Sequence, residues 1–292
     1  MANVQSMIFN IYGDYIRHYG NKIWIGSLIR LMKEFGHNEQ SVRVAVSRTM
    51  KQGWLESERQ GNKSYYFLTP RGEARIEEAA NRIFKLKPHE WDGKWRMLMY
   101  TIPEDIRHIR DELRKELLWS GFGSFSNGCW ISPNDLAKEV RVLIEKYQIQ
   151  SHVDLFISEY IGLESNQKLV EKSWQLEEVE EKYEAFISDY SKKYIVHQSM
   201  IEKGQMTDAD CFVERVNLVH EYRKFLFIDP GLPIELLPDI WNGNHAALLF
   251  EQHYKLLTQS ASQFFEAVFQ EDNDMRAKDK SYDADVHPFI LT

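Results

Sequence analysis

NEQSVRVAVSRTMKQG, residues 38–53, is the stretch whose reading decides the fold. Asn38 can accept a hydrogen bond from the orphan N–H groups of a first helical turn, and Glu39 places negative charge near the positive end of the helix dipole. Gly53 sits where a left-handed residue closes a helix. Val42, Ala45, Val46, Thr49 and Met50 recur at helical spacing and define a buried stripe. The opposite face carries Gln40, Ser41, Arg43, Ser47, Arg48 and Lys51, with no acid after Glu39. Such a face can donate to phosphates and base edges, although an ordinary solvated face would look the same in isolation.

Working outward, Trp54–Glu58 and Ser64–Leu68 are short β-prone runs, and Arg59-Gln60-Gly61-Asn62-Lys63 between them is a Gly/Asn hairpin turn. Upstream, Gln5–Tyr19 reads as a helix with Ile8, Ile11, Tyr12, Tyr15 and Tyr19 on one side. A strand at Lys22–Ile25 follows, then a second helix capped by Ser27 and ending at Gly36. Helix, strand, helix, turn, helix, hairpin is the winged variant of helix-turn-helix. Double-stranded DNA is therefore the expected partner, met by Gln40, Ser41, Arg43, Ser47 and Arg48 of the helix and by Arg59 and Lys63 of the wing. Which of these reads a base and which a phosphate stays open.

Charge follows the same division. Residues 1–87 hold 14 Lys and Arg against 8 Asp and Glu, so of the chain's 36 and 44 the remaining 22 and 36 lie beyond that point. A net of −8 for the whole chain conceals a basic amino-terminal segment. At 292 residues there is room for two or three cores. No apolar run is long enough to cross a bilayer and no signal pattern opens the chain, so a cytoplasmic protein is expected. Cys129 and Cys211, the only two cysteines, have no metal-ligand spacing and read as small buried side chains.

Pro70 and Gly72 open an amphipathic helix to about Lys87 (Ile76, Ala79, Ala80, Ile83, Phe84), broken by Pro88 before a linker, His89–Gly93. An apolar strand over Trp95–Thr101 follows, then a helix over Asp105–Ser120 with Ile106, Ile109, Leu113, Leu117 and Leu118 in register. Phe122–Ile131 is extended around the turn Ser126-Asn127-Gly128; Asp135–Gln148 is helical and Val153–Ile161 extended. That alternation fits a ferredoxin-like α+β unit. Beyond Glu164 only helical spacing persists: one helix through Leu176–Tyr194, another over Asp208–Phe227, a rigid turn at Asp229-Pro230-Gly231-Leu232-Pro233, and a last helical region from Pro238–Trp241 to about Phe269. The expected class is α+β multidomain: a winged helix-turn-helix over 1–87, a ferredoxin-like middle domain over 88–165, an all-α domain over 166–270, and a polar, disordered tail over 271–292.

SVRVAVSRTMKQGWLES (41–57), NKSYYFLTPRG (62–72), WDGKWRMLMYTIPE (91–104) and YRKFLFIDPGLPIELLPDIWNG (222–243) together resemble the PaaX family of phenylacetic-acid catabolism repressors, a likeness that runs from about residue 5 to 270. The wing RQGNKSYY departs from it in being less Arg-rich. The resemblance implies a homodimeric repressor of aromatic-acid degradation genes that binds a palindromic operator and is released by the effector phenylacetyl-coenzyme A, with no cofactor and no metal. An acyl-coenzyme A needs cations for its phosphates and an apolar slot for its acyl group. Arg223, Lys224 and Trp241, with Arg215 and His220 upstream, are the candidates; alternatively Arg223 pairs with Asp229 or caps carbonyls, and Trp241 is packing.

Enzyme readings find little support. Gly121-Phe122-Gly123 follows a helix and lacks a third glycine, no P-loop or nucleophile elbow occurs, and His245 and His253 stand without a metal-site helper. The middle unit also looks like the ferredoxin-like endonucleases of CRISPR adaptation, but Asp105 after Pro103 reads as a helix N-cap. A winged-helix adaptor that contacts protein instead of DNA is the other class to separate.

Overall fold

The computed structural model describes residues 3–85 and 90–272. Its contacts divide the chain into two compact units: the described parts of Met1–Phe84, Ser188–Arg223 and Leu248–Thr292 in one, Lys85–Ile187 and Lys224–Ala247 in the other. The helical segment 166–270 contributes to both.

In the first unit the chain runs α1 (Val4–Asp14), a 3-10 turn (Ile16–Tyr19), β1 (Lys22–Trp24), α2 (Ile25–Lys33), α3 (Glu39–Lys51), β2 (Leu55–Gln60), β3 (Lys63–Leu68) and α4 (Pro70–Lys85). The three strands form an antiparallel sheet ordered β1-β3-β2, with Trp24 opposite Tyr65 and Gln60 opposite Lys63. The hairpin strands are longer than the sequence reading drew them, so only Gly61 and Asn62 make the turn. Gly61 takes φ 60°, the positive value that a two-residue turn of type II′ asks of its first central residue. The expected Ser27 cap is corrected: α2 begins at Ile25 directly off β1, Trp24 caps it without a side-chain bond, and Ser27 is buried within the first turn. Ladder pairing holds the chain extended through Trp24, which leaves no free turn for a capping residue. The first helix likewise ends at Asp14, its continuation tightening to 3-10 before Gly20 and Asn21 turn left-handed.

Met7, Ile8, Ile11, Tyr12, Leu28, Leu31, Val42 and Val46 form one core with residues far along the chain, from α9 (Asp208–Tyr222) and α10 (Gly243–Asp272). Cys211, Phe212 and Val216 of α9 and Leu257, Ala261 and Phe265 of α10 belong to it. Thr207 and Asp210 close α9's start with a reciprocal capping box.

The second unit contains β4 (Trp95–Tyr100), a 3-10 turn (Glu104–Ile106), α5 (Arg107–Trp119), β5 (Gly123–Ser126), β6 (Cys129–Ser132), α6 (Ala137–Tyr147) and β7 (Val153–Ser158). Its antiparallel sheet is ordered β5-β6-β4-β7, the strand order of a βαββαβ unit. One sheet face buries Leu98 and Trp130 against Leu113, Leu117 and Val140 of the two helices. The other buries Trp95 and Ile131 under Leu169 and Val170 of α7 (Asn166–Ser173), Leu176 of α8 (Leu176–Glu202), and Leu232, Leu236 and Leu237. The Asp-Pro-Gly-Leu-Pro block is thus a lid on the sheet. Gly121, at φ +88°, lets that lid approach; a Cβ there would lie 2.5 Å from the Pro230 carbonyl oxygen.

Four further expectations are corrected. Asp105 lies inside the 3-10 turn and Ile106 precedes α5 with no side-chain cap. Leu118 is 57% exposed, because Leu117 takes the core position beside it. Residues 238–241 are irregular, and α10 starts at Gly243 after the Asn242 N–H and amide donate to the Glu180 carboxylate. Arg223–Phe227 is 3-10, so α9 stops at Tyr222. Cys129 and Cys211 are buried and unpaired as expected. The Ile83 and Phe84 side chains, the Pro88 break and the tail from 273 fall outside the described residues.

Candidate nucleic-acid interface

The site is built on α3 and the hairpin that follows it. Asn38 Oδ1 accepts from the Ser41 N–H at 2.9 Å, while the Ser41 hydroxyl donates back to the Asn38 carbonyl at 2.7 Å. Val42, Ala45, Val46 and Thr49 are buried, and Thr49 Oγ1 returns its hydrogen to the Ala45 carbonyl at 2.8 Å. With that stripe committed to the core, Gln40, Arg43, Ser47, Arg48 and Lys51 stand exposed and line one shallow hollow with Glu39 and Val44. All the helix residues named from sequence thus share one surface, except that Ser41 is half-buried at its edge and spends its hydrogen on the cap.

The joint between helix and hairpin is closed by hydrogen bonds. Gly53 (φ 72°) donates to the Met50 carbonyl at 2.9 Å and Trp54 to that of Thr49 at 3.1 Å, the paired bonds of a Schellman motif. Thr69 then donates its N–H to the Trp54 carbonyl and its hydroxyl to that of Gly53, at 3.1 and 2.8 Å. Phe9 and Arg71 hold the Trp54 ring, edge-on at 6.1 Å and over its face at 4.4 Å respectively.

Several cations near the surface have a local partner. Arg43 pairs with Glu39 at 2.8 Å, both exposed, a contact weak enough in water for a phosphate to displace. Lys22 binds Glu58 at 2.6 Å; that hydrogen bond, with a second from Gln60, holds the Glu58 carboxyl below its usual range and neutralises an acid on the hairpin. Arg59 Nε reaches the Gly61 carbonyl at 3.2 Å, and the Lys63 ammonium rests 5.0 Å from the Trp24 ring centre. Val44 stands 45% exposed amid this polar surface, although sequence spacing alone gives it no role. Its exposure is signalled by its place off the 42–45–46–49 stripe.

The five effector candidates divide between the two units. Arg215 is fully buried, donating to both carboxylate oxygens of Asp14 at 3.0 and 2.9 Å, with its guanidinium between the Tyr15 and Tyr254 rings. The Asp14 charge raises the Arg215 pKa against its burial. The side chain is thus engaged in an internal ion pair. His220 Nδ1 lies 3.3 Å from the Asn10 amide nitrogen, and Arg223 donates to the Ser6 hydroxyl, its burial pushing the guanidinium pKa down. Ser6, Asn10 and Asp14 are successive turns of α1, so these three residues form a polar seam between α9 and α1. Lys224 and Trp241 belong to the other unit, where Trp241 meets the Tyr183 ring edge-to-face at 5.6 Å. Asp229 accepts from the Tyr183 hydroxyl and the Gly231 N–H, while Arg223 donates to Ser6.

The architecture is that of a mixed helix-and-sheet protein with a Cas2-like central domain. Residues 88–170 match the family profile described as PaaX protein central Cas2-like domain, 174–267 that of the PaaX-like protein C-terminal domain, and 3–72 that of PaaX-like protein. The Transcriptional repressor PaaX of Escherichia coli (strain K12) is 32% identical over 262 residues, covering 89% of this chain and 82% of that protein. The chain belongs to the PaaX family. Among solved structures, the Uncharacterized protein Rv0674 from Mycobacterium tuberculosis is similar, with 24% identity over 83% of this chain and 90% of that one and a TM-score of 0.48. Membership places the chain with transcription regulators and not with nucleases. Among the described residues no helix is long and apolar enough to cross a membrane, and no cluster of His, Cys, Asp and Glu could hold a metal ion.

Proposed function

We propose that this chain is a transcriptional repressor of phenylacetate catabolism genes that grips operator DNA through an amino-terminal winged helix-turn-helix, works as a homodimer on a palindromic site, and is released by phenylacetyl-coenzyme A. The observation that carries the DNA-binding reading is the hollow on α3, where Gln40, Arg43, Ser47, Arg48 and Lys51 share an exposed face with a single acid, Glu39, at its end. Donors of this kind recognise phosphates and purine edges. The hairpin tip, with Arg59 and Lys63, supplies a second cationic contact beside the helix. The kinship with the repressor from Escherichia coli supports the gene target, and the effector rests on the same kinship.

Fluorescence anisotropy with promoter fragments from a phenylacetate degradation cluster tests this. Binding should weaken steeply with salt and be relieved by phenylacetyl-coenzyme A but not by free coenzyme A. Arg43→Ala should narrow the gap between operator and random DNA, whereas Lys63→Ala should weaken both alike and flatten the salt slope by about 0.9. Absence of binding even at low ionic strength would leave the winged helix as a protein-contact module.

A further inference from the structure

Val44 occupies the middle of the α3 face. Gln40 lies one turn before it and Ser47 and Arg48 one turn after, with Arg43 alongside, at the spacings that put side chains on one helical surface. Within the hollow these residues line, Val44 is the apolar member, and it is 45% exposed. Core packing does not account for it, since Val42, Ala45, Val46 and Thr49 fill the buried stripe. Helix formation does not either, because a β-branched residue is a poorer helix former than the Gln, Lys or Arg that neighbour it. An isolated exposed valine needs no explanation on most surfaces. Here, however, it is ringed by groups suited to a polyanion, and whatever they engage must cover it.

Among the base edges of the major groove, only thymine presents an apolar group, its C5 methyl. A valine pressed on guanine O6 and N7 or on cytosine N4 would strip water from a polar atom without replacing the hydrogen bond. We propose that Val44 is a specificity-determining residue that reads a thymine through its C5 methyl, with the surrounding cations and amide fixing the register. The assignment rests on the DNA-binding reading above and adds the base it selects.

The test starts from full-length protein and a randomised duplex library, from which the preferred site is selected and sequenced. Each thymine in that site is then replaced in turn by deoxyuridine, which removes the methyl and keeps the pairing and the O4 acceptor. Wild-type protein should lose about four-fold in affinity at one thymine per half-site, the worth of one methyl-sized group buried. Val44→Ala should bind the thymine and uracil forms of that position equally. Uracil forms that all bind wild-type within two-fold of the parent, or a Val44→Ala protein that still discriminates at the same position, would overturn the assignment while leaving DNA binding intact. A library that yields no preferred site would count against the DNA-binding reading itself.

Discussion

The core behind α3 and the core beneath α5 and α6 are assembled by different rules. The sheet of the second unit is made from consecutive strands and helices between Trp95 and Ser158, and its face toward α5 and α6 closes with residues from within that span. The core behind α3 is closed by Phe212 and Val216 of α9 and by Leu257, Ala261 and Phe265 of α10, some two hundred positions away in sequence. The difference teaches that the cationic surface is not carried by a self-sufficient amino-terminal module. Its scaffold is α1, and α1 is gripped along its length by α9 through Ser6, Asn10 and Asp14.

Arg215→Ala should break this comparison most forcefully. It leaves Asp14 without its buried partner, and losses of about 3–5 kcal/mol are typical for such a change; amide exchange should accelerate in α1 and α9 while β4 and β6 keep their protection. Gly121→Ala is the counterpart in the second unit. A Cβ at φ +88° and 2.5 Å from the Pro230 oxygen should destabilise by about 2 kcal/mol, read as faster exchange in β4 and β6 with α1 spared. Asn38→Ala is milder, about 1 kcal/mol from the lost cap, and should fray the start of α3 in exchange experiments before any change in global unfolding.

The last expected effect is a slope with pH. His253 is buried with its Nε2 2.9 Å from His197 Nδ1, against the rings of Tyr190 and Tyr194, while Glu214 lies 3.9 Å from His197 Nε2. Burial, then the His197 and Lys193 charges, lowers its pKa from 6.5 to about 4. A folded value below the unfolded one means that the unfolded chain takes up the proton first. Stability should therefore decline as pH falls from about 6.5 to about 4, and His253→Asn should flatten that part of a denaturation-versus-pH curve.

Local signals made much of this legible in advance. The Asn38 cap, the stripe on α3, the Gly61-Asn62 and Asn127-Gly128 turns and β4 are each written within a few residues, because capping, periodicity and left-handed turns are short-range effects. What sequence could not supply is long-range. Nothing near Arg215 announces Asp14 as its partner, and a basic residue beside a family signature reads naturally as a ligand group until burial is known. Ser27 is a good capping residue in the right place, yet ladder pairing through Trp24 started the helix three residues earlier. Leu117 and Leu118 are equivalent in periodicity; only the packing of α5 shows which one faces water.

The sealed joint at Gly53, Trp54 and Thr69 carries a last implication. With the end of α3 bonded into the start of β2 and the end of β3, the reach from helix to hairpin tip is a fixed ruler and not an adjustable arm. On the proposed DNA-binding reading, a target must match that stride, and drift in the side chains along α3 would alter the letters recognised without altering the interval at which they are sought.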